Sequence, residues 1–165
     1  MPDQDHVAGI DDDDLVIAAI SPDDAGEVMT LQRAAFVSEA QIYGSVDMPP
    51  LTQTLEAVRA ELTDCAGWTA RIGGRLVGAI RGSLDGDLLL IGRIAIAPDM
   101  QGEGIGRRLL EVAEQRSGAA AAELFTGSRS EANLRLYESC GYRVSERVPQ
   151  DDGTEQVFLH KPLRS

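Results

Sequence analysis

Residues 94–110 read IAIAPDMQGEGIGRRLL. An apolar strand runs into Pro98, a glycine-rich turn follows, and Ile105, Leu109 and Ala113 mark an amphipathic helix. Gly102, Gly104 and Gly106 have no Cβ, so a ligand can approach the backbone closely. The first N–H groups of the helix lack intrahelical partners and sit at its positive end, which makes the turn an anion site. Arg107 and Arg108 add charge beside it. The dipole alone is worth about 0.3–1 kcal/mol, so converging N–H bonds must supply most of the grip. A phosphate or pyrophosphate is the natural ligand. A P-loop needs GK[ST], and the only lysine is Lys161. A G-x-G-x-x-G fingerprint fails as well, because the third glycine would fall at Arg107 or Leu109. The pattern that fits is Q-x-x-G-x-G, met by Gln101, Gly104 and Gly106.

Downstream, residues 130–142 read SEANLRLYESCGY, a helix that ends at Gly141. Ser128 and Glu131 have the spacing of a capping box for it. A small-residue strand, Ala121 to Phe125, precedes it. Two strands, Arg143 to Val148 and Glu155 to His160, flank Asp151-Asp152-Gly153. Upstream, the strand before the glycine loop spans Asp87 to Ala97, after a hairpin at Asp85-Gly86. The strand before that alternates, with Val77, Ala79 and Arg81 on one face and Leu76, Gly78 and Ile80 on the other. Gly73-Gly74 joins it to a strand carrying Trp68, Ala70 and Ile72. Leu15 to Ile20 reads as a buried strand, closed by Ser21 as N-cap and Pro22 at the first helical position. Val28, Leu31 and Ala35 then recur at helical spacing. Thr52 is placed to cap a second helix, with Leu55, Val58 and Leu62 on one face. The order βααβββαβαββ implies a mixed α+β fold of the α/β type, a central mixed sheet of about seven strands with helices on both faces.

Composition narrows the function. The 165 residues suit one domain, taken as residues 15–165, behind an acidic tail, residues 1–14. That tail holds six aspartates and no basic residue before Leu15, and reads as solvated chain. Asp and Glu number 27 against 15 Lys and Arg, a net charge of −12, which argues against a nucleic-acid partner. No apolar run reaches the ~18 residues of a membrane span and no signal-peptide pattern opens the chain, so no membrane partner and a cytoplasmic location are expected. Cys65, Cys140 and His160 show no metal-ligand spacing, so no metal is expected.

The two motifs together, over roughly residues 93–143, resemble the GNAT superfamily of N-acetyltransferases, and the element order extends the likeness past the tail. Gln101, Gly104 and Gly106 match its pyrophosphate loop, and Asn133, Tyr137, Gly141 and Tyr142 match its second signature. The resemblance implies acetyl-CoA bound where two parallel strands splay apart. Backbone groups of Ile94, Ala95 and Ile96 would pair with pantetheine amides, like an added strand. The loop of Gln101, Gly102, Glu103, Gly104, Ile105, Gly106 and Arg107 would hold the pyrophosphate, and Asn133 would contact the pantetheine arm.

The reaction implied is acetyl transfer to a primary amine in a ternary complex. The amine attacks the thioester, a backbone N–H from Ile94 to Ile96 meets the oxyanion, and Tyr137 returns a proton to the leaving thiolate. The acceptor is a small-molecule or protein amine, and a homodimer is expected from the family. Many members place a glutamate on the strand before the loop. Here that strand reads LLLIGRIAIAP, with Gly92 and Arg93 and no carboxylate. Glu39, Tyr43 and Asp47 are the candidates to serve as base or to contact the acceptor, because the loop after the first helix borders that site in the fold. Arg93 is either structural or a contact for an acidic acceptor. The missing glutamate keeps a second reading open, a non-catalytic acyl-CoA-binding module.

Overall fold

A computed structural model describes residues 14–164. The acidic tail assigned to residues 1–14 lies, apart from Asp14, outside the described residues. Strand β1 (Leu15–Ala19) hands over at Ser21, whose hydroxyl accepts the Asp23 N–H at 3.2 Å while Asp24 accepts the Ser21 N–H at 2.9 Å. This reciprocal cap starts a single 3₁₀ turn that leads into α1 (Ala25–Tyr43), closed by Gly44 at φ 66°. The cap expected at Thr52 is displaced. Pro49 and Pro50 start a one-turn helix of their own, α2 (Pro49–Thr52), since proline needs no N–H at a first turn. Thr52 lies inside it, and Thr54 caps α3 (Leu55–Asp64) by accepting the Ala57 N–H at 3.1 Å.

Seven strands follow the order β1-β2-β3-β4-β5-β7-β6. They are β1, β2 (Ala66–Ile72), β3 (Arg75–Asp85), β4 (Leu88–Ile96), β5 (Ala121–Gly127), β6 (Arg143–Pro149) and β7 (Glu155–Pro162). Neighbours are antiparallel except β4 and β5, which α4 (Ile105–Arg116) joins as parallel strands. Simple alternation fails along β3. Arg71 pairs with Leu76 but Ala70 with Gly78, so Val77 is the extra residue of a bulge. The phase shifts there. Leu76 joins Ala79 in the core under α1 and α3, and Val77 joins Ile80 in the core under α4.

The two cores lie on opposite faces of the sheet. Val28, Leu31, Val58 and Leu62 fill one, against Ala79 and Ala95. Leu109, Leu110, Tyr142 and Leu159 fill the other. At Gly78 a Cβ would lie 2.9 Å from Ile105 Cγ2 and 3.0 Å from Leu109 Cδ1, so glycine lets α4 settle onto β3. The only lysine, Lys161, is built into this packing. It donates to Glu114 at 2.8 Å, lies over the Tyr142 ring, and shares Glu114 with the Tyr142 hydroxyl at 2.9 Å. Among the described residues no helix is long and apolar enough to cross a membrane.

Helix α5 (Glu131–Ser139) begins without the expected box. Its N-cap is Ser130 and that side chain caps nothing, while Ser128 accepts the Glu155 N–H at 2.9 Å. Both serines are drawn away by tertiary partners. One of these is Tyr43, the last residue of α1, whose hydroxyl meets Ser130 at 3.0 Å and accepts the Arg129 N–H at 3.1 Å. Tyr43 crosses directly over Gly127, where a Cβ would collide with its ring and hydroxyl.

Two stability outcomes follow from this packing. Leu109→Ala should cost ~2–5 kcal/mol, read from the urea midpoint, because Leu109 is fully buried. Gly127→Ala should destabilise by ~1–3 kcal/mol through overpacking, and should be nearly neutral in a Tyr43→Ala background, a coupling that a double-mutant cycle measures.

Candidate acyl-transfer cleft

The sheet opens between β4 and β5. Their pairing runs from Leu88–Ala121 to Ile91–Leu124 and stops. On the other side of β4, Arg81 pairs with Arg93 and Gly82 with Ile91, which leaves Gly92 as an extra residue. A bulge bends its strand and raises the local twist, so β4 turns away from β5 at that point. The wedge between them is a cleft of about 400 Å³, walled by residues 91–94 and 124–127, by α1 and α5, and by the turn before β7. Beyond Ile91, the edge of β4 that faces away from β3 has no strand beside it among the described residues.

Residues from distant parts of the chain meet in this cleft. Glu39 on α1 accepts from Ser130 Oγ at 2.7 Å and from Asn133 Nδ2 at 3.2 Å. Asn133 also reaches Thr126 Oγ1 at 3.4 Å. Tyr137, one turn further along α5, lines the same cavity. Its phenol is pushed well above its ordinary range, first by burial and then by the charge of Glu39. It therefore holds its proton more firmly than a free tyrosine does. Tyr43 also lines the cleft, whereas Asp47 is exposed and lies outside the lining.

The glycine loop follows at the end of β4. Ile94, Ala95 and Ile96 pair with Ile80, Ala79 and Gly78 of β3. Ala95 is buried toward α1 and α3, and Ile96 packs toward α4. Pro98–Met100 makes one 3₁₀ turn, and Gln101, Gly102 and Gly104 are exposed, with Glu103 half-buried. Gly104 is the N-cap of α4 at φ 84° and supplies no side-chain cap, so the N–H groups of Ile105, Gly106 and Arg107 stay clear of side-chain acceptors at that end. A Cβ at Gly104 would meet no atom within 4 Å, so glycine is there for its backbone angle. Arg107 donates to the Ser139 hydroxyl at 2.9 Å and ties the start of α4 to the end of α5.

Two further members of the lining, Phe36 and Thr126, are not legible in the motifs. Ser130 acts behind the lining, through its hydrogen bond to Glu39. Alternation along β5 from Leu124 could have flagged Thr126. The partnership of Glu39 with Ser130 spans 91 positions and leaves no local trace.

Comparison with known proteins agrees with this geometry. The model of the acetyltransferase (GNAT) domain matches residues 63–144. UPF0157 protein YqkA of Bacillus subtilis is 29% identical over 137 residues, which is 82% of this chain and 39% of that protein. The chain thus spans about two fifths of the length of the curated relative it matches. PaiA N-acetyltransferase from Thermoplasma acidophilum, solved in complex with coenzyme A, superposes with a TM-score of 0.75 at 16% identity, over 90% of this chain and 98% of that one. The ribosomal-protein-S18-alanine N-acetyltransferase from Escherichia coli gives 0.73 at 20%, over 92% and 95%. A GNAT-family acetyltransferase from Streptococcus pneumoniae gives 0.72 at 20%, over 90% and 98%. The chain carries a GNAT acetyltransferase domain, matched over residues 63–144, and shares the fold of the solved N-acetyltransferases across nine-tenths of its length.

Proposed function

We propose that the chain is an N-acetyltransferase that moves an acetyl group from acetyl-CoA to a primary amine by direct attack in a ternary complex. The observation that carries this reading is the opened β4 edge, which runs from a cleft containing Tyr137 to a glycine loop with free helix N–H groups. The loop suits a pyrophosphate because no side chain caps α4 and Gly102 and Gly104 leave space above the backbone. The open edge suits the extended amides of a pantetheine arm. PaiA, of the same fold, was solved with coenzyme A. Both cysteines are free thiols, which suits work in the reducing cytoplasm.

Acetyl-CoA supplies an acyl group already activated as a thioester. The chain's own residues do the rest. Tyr137 keeps a proton at the cleft wall, where a leaving thiolate needs one. Backbone N–H groups on the free edge of β4 are placed to meet a developing oxyanion. Asn133 spends its amide hydrogens on Glu39 and Thr126, which leaves its carbonyl oxygen for an amide N–H of the arm. Glu39, held by Ser130 and Asn133, is the carboxylate toward which an acceptor ammonium is drawn. β4 itself carries no carboxylate, so Glu39 or a water near it takes the amine proton, or an amine already neutral reacts unaided.

Tyr137→Phe should lower kcat by about 10²–10⁴-fold and leave acetyl-CoA affinity unchanged by calorimetric titration. Because the folded phenol titrates above the ordinary value near pH ~10, wild-type kcat should show no alkaline loss from Tyr137 below that pH. Undiminished turnover in the phenylalanine variant would make Tyr137 structural. Gly104→Val forces a β-branched residue to φ 84° and should abolish acetyl-CoA binding in a folded protein. Saturable acetyl-CoA binding with no turnover on any amine would favour the bare acyl-CoA-binding module, and NADH titrated in parallel should not bind.

A further inference from the structure

Among the described residues, Arg93 is the one cation in the cleft wall, and the chemistry above gives it no task. Arg81 and Arg93 stand opposite each other on β3 and β4, beside the C-terminal half of α3. Glu61 is the carboxylate that serves them. Arg81 takes it with two nitrogens, Nη2 at 2.9 Å and Nε at 3.3 Å, and Gln53 Nε2 donates to its other oxygen at 2.5 Å. Arg93 is left with a neutral partner, donating Nη1 to Gln53 Oε1 at 2.5 Å. That oxygen already receives Gln32 at 3.0 Å and Arg81 at 3.4 Å. Among the described residues, Arg93 Nε and Nη2 meet no acceptor. Two guanidinium groups thus share one carboxylate, with one positive charge in excess.

Burial and the nearby Arg81 both weigh against the charge on Arg93, and Glu61 supports it only from a distance. A guanidinium does not shed its proton in answer to such a setting. Among the described residues no carboxylate bonds Arg93, and the free edge of its planar fork matches a guest carboxylate in two-point contact. The phosphates of coenzyme A are the wrong guest, because no residue of the glycine loop lines this cleft. Elsewhere in the lining stand Glu39 on α1 and Glu155 at the start of β7. One cation and two carboxylates around one small cavity match a zwitterion.

We propose that Arg93 binds the carboxylate of the acceptor, and that the acceptor is a free amino acid whose amine lies toward Glu39. This rests on the acetyltransferase reading for its reaction, but the binding of the carboxylate depends on the chain alone.

The test uses the twenty standard L-amino acids and their carboxamides as probes. Each is titrated calorimetrically into the full chain, with and without coenzyme A, and assayed for thiol release with acetyl-CoA. At least one acid should bind, and react, about 10- to 100-fold better than its own carboxamide. Arg93→Gln should erase that preference by raising KM for the acid, with little change for the amide or for acetyl-CoA affinity. Arg93→Lys, which keeps the charge without the fork, should restore part of it. Circular dichroism establishes that each variant is folded. Wild-type protein that binds no acid, or treats acids and amides alike, overturns the proposal. So does an Arg93→Gln variant that loses both equally or loses coenzyme A itself. Acids bound through Arg93 with no amine ever acetylated would sink the enzyme reading and leave the carboxylate site standing.

Discussion

The parting of β4 from β5 after Ile91 is the constraint on which the rest of the molecule depends. A parallel pair normally continues until both strands end, since each lost ladder bond leaves backbone groups unpaired. Here an extra residue, Gly92, bends β4 out of register, and among the described residues Arg93 to Ile96 keep β3 as their only strand neighbour. The unpaired edge is a standing cost to the fold, and under the function proposed above it is the template for an extended ligand. Everything else in the cleft is arranged around that edge. α1 crosses it from one side, α5 closes it from the other, and the glycine loop finishes it at the end of β4.

The two sides are held together by polar side chains rather than by a greasy seam. Glu39, Ser130, Asn133, Thr126 and Tyr43 form one connected set of hydrogen bonds between α1, β5 and α5. Bonds to a charged group contribute about 1.5–3 kcal/mol each, more than neutral ones, so Glu39 is the strongest single tie across the opening. The same carboxylate faces the cavity, so the group that fixes its shape also shapes its field. At Gly127 the absent Cβ lets Tyr43 pass, which joins the strand end to the same set.

Much of the fold was legible where local chemistry is decisive. Ser21-Pro22 opened the first helical segment, Gly73-Gly74 and Asp85-Gly86 turned the hairpins, and the glycine loop sat between strand and helix as read. The misreadings have physical causes. Val77 looked like part of a clean alternation, but a bulge is invisible to a period-2 count because it inserts one residue without changing composition. Thr52 looked like a cap, but the preceding prolines make a turn that needs none. Ser128 and Glu131 had the spacing of a capping box, yet tertiary partners claimed the serines. In the cleft, the motifs located Asn133 and Tyr137, whereas Asp47 fell outside. Residue type and spacing report what a short segment does alone. The meeting of Glu39 with Ser130, or of Arg93 with Gln53, depends on how distant segments cross.

The fate of Lys161 bears on self-modification. A protein that handles a thioester exposes its own ε-amines to stray acylation. This chain has a single such amine, and it is committed to Glu114 and set against the face of Tyr142. Held between a carboxylate and a ring face, that side chain is not free to swing toward an electrophile. The other permanently positive side chains are arginines, which acyl donors leave alone at neutral pH. For a chain with the acetyltransferase activity proposed above, the fold thereby withholds its lysine side chain from the reactive group of the donor.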